Sequence, residues 1–139
     1  MKYAVIFLMA VVGLTSCTSS QKAPMGDNRN VYDEEESVRI ANDSLEYEII
    51  ITDVGFPRFL NTQPPPSYYS ISFLERRNQF LVAEYNRRVQ DIRFSRQLYP
   101  QRIDYDRTVH YGREVNFLLY QYFRYFSREY NQDFPGIRN

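Results

Sequence analysis

The sequence is poor in the side chains that most often carry metal or nucleophilic chemistry. Among its 139 residues there are one cysteine, Cys17, one histidine, His110, and no tryptophan. A zinc site of the usual kind takes several histidine or cysteine ligands, so this chemistry is excluded. The five glycines never cluster, and the chain therefore lacks a phosphate-binding loop. We predict neither a metal nor a cofactor.

A surplus of charge of one sign is also missing, since 17 basic residues balance 17 acidic ones. Binding to nucleic acid needs a strong positive surplus, so we do not expect nucleic acid as a partner. The balance hides an asymmetry, because residues 17–55 are acidic overall and residues 56–139 are basic. Nearly all the basic side chains are arginines, which pair with carboxylates and phosphates and stack on aromatic rings.

The amino terminus has the pattern of an export signal. Lys2 is followed by an unbroken run of apolar or small residues from Ala4 to Leu14. That run is typical of a signal peptide and is shorter than the roughly 20 residues that span a bilayer. The next residues complete a sequence that resembles the lipobox of bacterial lipoproteins: Leu14, Thr15, Ser16 and Cys17. The resemblance implies cleavage before the cysteine and attachment of acyl chains, such as palmitate, to it.

Several acyl chains on one residue would hold the protein at a membrane, because each buried methylene contributes roughly 0.8 kcal/mol. In lipoprotein sorting, an aspartate directly after the cysteine can retain the protein in the inner membrane, but Thr18 occupies that position. Surface-export tags need acidic residues at once, and the first acidic residue is Asp27. The resemblance therefore implies a location at the periplasmic face of the outer membrane.

We divide the chain into four parts. Residues 1–16 are the signal peptide, and residues 17–43 are the lipidated cysteine with a flexible, acidic tether. Residues 44–132 are a single globular domain, and residues 133–139 are a C-terminal tail. The run Asp33–Glu36 in the tether is interpreted as a solvated spacer, because its carboxylates have no scaffold on which to converge.

The domain is predicted to belong to the α+β class and to be dominated by helices. Leu45–Thr52 is rich in β-branched residues and predicts a strand. Apolar residues at helical spacing predict two long helices, Ile71–Ile92 and Arg113–Asn131. Gln101–Tyr105 alternates in part, and we expect it to pair with the strand in a small β element. The second helix is so aromatic that we expect it to be covered on more than one side.

Acid–base and metal chemistry have weak candidates. Glu46 and Glu48 would share one face of the predicted strand, but their alternation with apolar residues is typical of a solvent-facing row. His110 is the only histidine and lies in no nucleophile motif. Asp104 and Asp106 lack the glycine and glutamate spacing of a calcium loop. A small hydrolase is thus an alternative, and a non-enzymatic role is preferred.

Two kinds of side chain suggest a binding surface. Arg76 and Arg87 lie about three helical turns apart, as do Arg77 and Arg88, so each pair shares one side of the first long helix. These arginines suit anionic lipid headgroups, glycan or an acidic partner, but a solvated helix face, with Glu84 spaced to pair with Arg88, is the preferred interpretation. The other kind is a pair of tyrosines, Tyr68 and Tyr69, which could be displayed and stack on sugars or on a partner, although packing in the core or at its rim is the preferred interpretation.

The ordered part of the chain also resembles a family of short lipoproteins from Bacteroidota bacteria, known only as a domain of unknown function. The resemblance is carried by Asp43–Ile51, Tyr68–Ser70, Glu84–Val89 and Tyr111–Asn116. It implies no catalytic residue. The preferred hypothesis is a lipid-anchored interaction or structural module of the cell envelope with a protein partner, and the first alternative is a binder of anionic envelope lipid or glycan.

Overall fold

The computed structural model describes residues 31–32 and 37–138. In this part of the chain the structure consists of a two-stranded antiparallel sheet and three α-helices, of which two are long. The predicted α+β class, dominated by two long helices with a short β element, is confirmed. The predicted signal peptide, the lipobox and the acidic run at 33–36 lie outside the described residues.

The elements follow the chain in a simple order. They are strand β1 (Val38–Asn42), strand β2 (Tyr47–Ile51), helix α1 (Gly55–Asn61), helix α2 (Ile71–Gln90) and helix α3 (Gly112–Glu129). Short 3-10 turns lie at Asp43–Leu45 and Pro66–Tyr68. No helix in the described ranges is long and apolar enough to cross a membrane.

Strands β1 and β2 form a hairpin in which Val38 lies opposite Ile51. Alternate side chains of a strand point to opposite faces of the sheet. One face packs on α3 and is buried, with Ile40 fully covered. The other face carries Arg39 and Ile50, which are exposed. The hairpin therefore closes one side of the core with five residues from each strand.

The fold begins earlier than the predicted start at Ser44, because Tyr32 already bonds to Asn61 and strand β1 starts at Val38. Strand β1 lies within residues 17–43, which were predicted to be a tether. The predicted pairing of β2 with Gln101–Tyr105 is wrong, because β2 pairs with β1 and residues 102–106 form no strand. The alternation of buried and exposed residues in β1 is only five residues long, and it closely follows four acidic residues. The polar composition of residues 17–43 therefore gave no clear signal for a strand.

Helix α2 is capped by Ser70, whose hydroxyl oxygen accepts a hydrogen bond from the backbone N–H of Phe73 at 3.3 Å. Ser72 lies inside the first turn. The helix ends two residues before the predicted Ile92. The predicted apolar stripe is confirmed as buried: Leu74, Leu81, Tyr85 and Val89.

Helix α3 is the centre of the fold and packs against α2, α1 and the hairpin. It starts at Gly112, whose φ of +86° lies in the left-handed region that favours glycine. The expectation that this helix is covered on more than one side is confirmed, since buried side chains occur all around it. They include Val115, Phe117, Leu118, Tyr120, Phe123, Tyr125 and Phe126.

Phe134 belongs to the core, which corrects the predicted start of a C-terminal tail at residue 133. Phe134 is 4% exposed, and its ring centroid lies 5.5 Å from that of Phe123 and 6.1 Å from that of Phe126. The chain reverses at Asn131, which has a left-handed φ of 49°. A proline and a glycine directly after Phe134 gave the segment the composition of a tail.

Candidate binding surfaces

Two of the four predicted binding arginines are engaged within the fold. Arg88 is 7% exposed and donates hydrogen bonds to Glu84 Oε1 at 2.7 Å, to the Tyr99 hydroxyl at 2.9 Å and to the carbonyl oxygen of Asp133. Arg87 is exposed and pairs with Glu84 at 2.8 Å and with Asp91 at 3.3 Å. Arg88 therefore acts as an internal cross-link, and Arg87 already has acidic partners.

The other predicted residues separate into an isolated side chain and a cluster. Arg76 is exposed and stands apart from the cluster. Tyr68, Tyr69 and Arg77 come together at a concave surface of about 580 Å³, which we call the arginine–tyrosine basin. The remaining residues of its lining are Pro64, Tyr120, Arg124, Gly136, Ile137 and Arg138.

The basin is positively charged, and the described residues place no compensating acid in it. None of its lining residues is acidic. Among the described residues, neither Arg77 nor Arg124 nor Arg138 lies within ion-pairing distance of a carboxylate. Arg124 Nη1 donates to the neutral side chains of Gln63 at 2.7 Å and Gln121 at 3.0 Å. The basin therefore differs from the C-terminal end of α2, where Arg87 and Arg88 pair with Glu84.

The tyrosines of the basin form an aromatic wall. The ring centroid of Tyr69 lies 5.7 Å from that of Tyr120 and 5.0 Å from that of Tyr68, both edge to face. Tyr68 is 72% exposed, so its ring is available to a ligand. Burial raises the pKa of Tyr120, and the nearby Arg124 guanidinium opposes that rise only in part. The Tyr120 hydroxyl is therefore protonated at neutral pH and is a hydrogen-bond donor.

The position of Arg77 depends on the C-terminal segment. A Cβ atom built on Gly136 would lie 2.0 Å from Arg77 Nη1, so the guanidinium rests directly on this glycine. The guanidinium carbon also lies 5.6 Å from the ring centroid of Phe73, which supports it from the helix side. Sequence reasoning missed Arg124, Gly136 and Arg138, because no local pattern connects them to Tyr68 or Arg77.

A second concave surface, of about 1100 Å³, runs along β2 and is called the β2 groove. Its lining includes residues 46–54 on one side and residues 97, 98 and 100–104 on the other, and no residue of β1. The groove therefore follows the edge of β2 that β1 does not cover. Core side chains form its floor: Tyr85, Leu119, Tyr122 and Phe126.

Both walls of the β2 groove present main-chain groups. The Asn86 side chain binds both main-chain groups of Ile103, with N···O distances of 2.8 Å. Residues 102–106 contain no turn or bend. The Asn86 side chain bonds only to Ile103 of this stretch, and the main-chain groups of the neighbouring Arg102 and Asp104 make no bond to it. Within the described residues they have no backbone hydrogen-bond partner, and β2 bonds to no strand but β1.

The groups considered for acid–base chemistry do not assemble. Glu46 lies in the hairpin turn with φ of 52°, so it does not share a strand face with Glu48 as predicted. Glu48 pairs with Arg39 at 2.8 Å. His110 is exposed, with its Nδ1 atom 3.1 Å from Glu75 Oε1. In the part of the chain that the structure describes, no three His, Cys, Asp or Glu residues could hold a metal.

A carboxylate at one end of the β2 groove is held by two phenols. Tyr125 donates to Asp53 Oδ1 at 2.6 Å, and Tyr130 donates to Oδ2. Burial alone would raise the pKa of Asp53, but these bonds outweigh it and lower the pKa. The bond to Asp53 raises the pKa of Tyr130 to about 12. The charged carboxylate thus has its donors in place. Asp53 and Tyr125 are 72 positions apart in the sequence, so no local pattern predicts the pair.

The stability of the fold should fall on acidification because of Glu84. A hydrogen bond from Arg87, and then one from Arg88, lowers the pKa of Glu84 from 4.5 to about 2. A carboxyl with a depressed folded-state pKa stabilises the fold above its unfolded value and loses that effect as pH falls toward the folded value. The free energy of unfolding, measured by urea denaturation, should therefore decrease between about pH 4.5 and pH 2.

Other carboxyls, such as Asp53 and Asp91, also have a lowered pKa, so the test compares wild type with Glu84→Gln. The difference in unfolding free energy between the two proteins should shrink as pH falls through this window. A difference that stays constant from pH 6 to pH 2 would contradict the assignment.

Comparison with known proteins places the chain in a family. A model described as a family of unknown function, DUF6146, matches residues 6–138, and the chain belongs to this family. No curated protein and no solved structure matches the chain. The family match covers the described fold and both concave surfaces, and it brings no assigned activity with it.

Proposed function

We propose that the chain is a lipid-anchored, non-catalytic interaction module of the bacterial cell envelope. It is held through acylated Cys17 at the periplasmic face of the outer membrane. Support for the anchor comes from the sequence: Lys2, the apolar run Ala4–Leu14 and the lipobox that ends at Cys17. Support for the interaction role comes from the β2 groove, which is the observation that carries the proposal.

The groove is suited to an extended segment of a partner protein. A strand inserted there would bond to the open edge of β2 on one side and to the main-chain groups of Arg102 and Asp104 on the other. The lining contains four acidic residues, Glu46, Glu48, Asp53 and Asp104, against the single basic Arg102. A segment that carries lysine or arginine therefore complements the charge of the groove.

Site-specific cross-linking tests this proposal in the intact envelope. A photoreactive amino acid at Ile50, which is exposed in the lining of the groove, should form one defined adduct with another protein. A photoreactive residue at Arg76, exposed on α2, serves as the matched control and should form no such adduct. The partner segment in the adduct, located by mass spectrometry, should be extended and basic.

A proline substitution tests whether the adduct depends on main-chain hydrogen bonds to the partner segment or only on its proximity. Arg102→Pro removes one N–H that has no acceptor among the described residues, so the fold should persist while the adduct falls at least tenfold. Unchanged cross-linking in Arg102→Pro would argue against strand insertion. If the adducts contained only a second copy of this chain, the proposal of a different partner protein would be wrong, and the groove would serve self-association.

A second function, binding of an anionic envelope lipid or glycan, is supported by the arginine–tyrosine basin. The basin brings Arg77, Tyr68 and Tyr69 together with two further arginines, and no acid lies among its described lining residues. Guanidinium groups recognise phosphate and carboxylate through paired hydrogen bonds. This function is compatible with the first one, because the two surfaces share no lining residue.

A further inference from the structure

The arginine–tyrosine basin has three positive charges on one concave surface. Arg77, Arg124 and Arg138 lie in its lining, and none meets a carboxylate within the described residues. Like charges gathered in a concavity repel one another, and the low-dielectric walls strengthen their field. An anion in the basin would relieve that repulsion. The arrangement therefore favours a negatively charged ligand over a neutral one.

The aromatic side of the basin limits the shape of that ligand. Tyr68, which is 72% exposed, offers a ring face together with a hydroxyl, and Tyr69 backs it edge to face. Such an amphipathic surface matches a saccharide ring, which has apolar C–H groups on its faces and hydroxyls at its rim. The volume of about 580 Å³ is in the range of small-molecule sites.

A membrane surface fits the basin less well than a sugar does. Binding in the bilayer interface relies on a broad apolar face with large side chains. Of the lining residues, Tyr68 is the only large hydrophobic side chain that is strongly exposed, whereas Tyr69 and Ile137 are half-buried. On a membrane, the basin would therefore be held at the lipid headgroups by charge alone.

We infer that the arginine–tyrosine basin binds an acidic sugar, a saccharide unit that carries a phosphate or carboxylate group. The anionic group lies between the guanidinium groups of Arg77 and Arg138, and the sugar ring stacks on Tyr68. The inference rests on the second proposed function and narrows it from any anionic envelope ligand to a saccharide.

Calorimetric titration of the full-length, lipidated protein in a neutral, sugar-free detergent tests the inference. The probes are oligogalacturonate, glucose 6-phosphate, glucose, inorganic phosphate and vesicles that contain phosphatidylglycerol. At least one of the two acidic saccharides should bind ten times more tightly than glucose and inorganic phosphate. Its affinity should also decrease with salt.

Matched variants locate the site. Arg77→Gln with Arg138→Gln should weaken binding of the acidic saccharide at least tenfold, and Tyr68→Ala should weaken it as well. The control, Arg76→Gln with Arg107→Gln, removes two exposed arginines outside the basin and should leave affinity unchanged. Urea midpoints for every variant show whether a loss of affinity comes from unfolding.

The possible failures are distinguishable. If inorganic phosphate bound as tightly as the saccharides, or if only the vesicles bound, the inference that the ligand is a sugar would be wrong. The basin would still be a binding site for anions. Binding of no probe would overturn both the inference and the second proposed function. Equal affinity in the Arg77/Arg138 variant and its control would place the ligand elsewhere. Cross-linking at the β2 groove is measured independently of all these results.

Discussion

Replacement of Arg88 by alanine should remove a large part of the stability of the fold. The side chain joins Glu84 to the Tyr99 hydroxyl and to the C-terminal backbone at Asp133. Its guanidinium carbon lies 4.9 Å from the ring centroid of Phe94 and 4.3 Å from that of Phe134. Loss of one member of such a buried network costs about 3 to 5 kcal/mol, against a total stability of roughly 5 to 15 kcal/mol.

Chemical denaturation of three variants measures this effect and separates its parts. Arg87→Ala is the matched control, because it removes the neighbouring arginine and another bond to Glu84 from an exposed position. Arg88→Met retains apolar bulk between the rings and should be intermediate, since only the polar bonds are lost. Similar unfolding free energies for Arg88→Ala and Arg87→Ala would show that Arg88 is no internal cross-link.

Replacement of Cys17 by serine should release the protein from the membrane. The substitution removes the thiol to which the proposed acyl chains are attached, and each buried methylene contributes roughly 0.8 kcal/mol to anchoring. The native protein should be found almost wholly in the membrane fraction and should lack residues 1–16. The variant should retain those residues, as intact mass measurements of both proteins would show.

Ser19→Ala is the control for the anchor, because it changes a nearby hydroxyl and leaves the thiol in place. It should remain in the membrane fraction with the same added lipid mass as the native protein. Native protein with a free thiol at Cys17, or with its first residues intact, would rule out the lipid anchor.

The long elements could be predicted from the sequence because their signals are local and repeated. The apolar stripe of Leu74, Leu81 and Tyr85 extends over several turns of α2. The helix starts at Ile71, as the sequence predicts. Strand β1 has a five-residue signal and needs β2 to complete it. Phe134 needs Phe123 in the same way. Elements that depend on a distant partner carry little local information.

The binding surfaces show the same limit. The sequence singled out Tyr68, Tyr69 and Arg77 as side chains of the right chemistry, and the structure brings these three together. It did not predict Arg124 or Arg138, which lie on α3 and in the C-terminal segment. Arg88 was chosen on charge, but its environment is made by residues far along the chain, and that environment turns it inward.

The antiparallel hairpin would have a mechanical consequence for a chain with the anchor that we propose at Cys17. Tension at the amino end would first meet Tyr32, whose main chain bonds to the Asn61 side chain, and then Val38, which pairs with Ile51 at the open end of the hairpin. Such a pull would peel the strand pairs apart one after another, instead of shearing all of them together. Val38 and Ile40 are buried, so each step must also wet an apolar side chain. These two side chains would therefore set the force at which the hairpin begins to open.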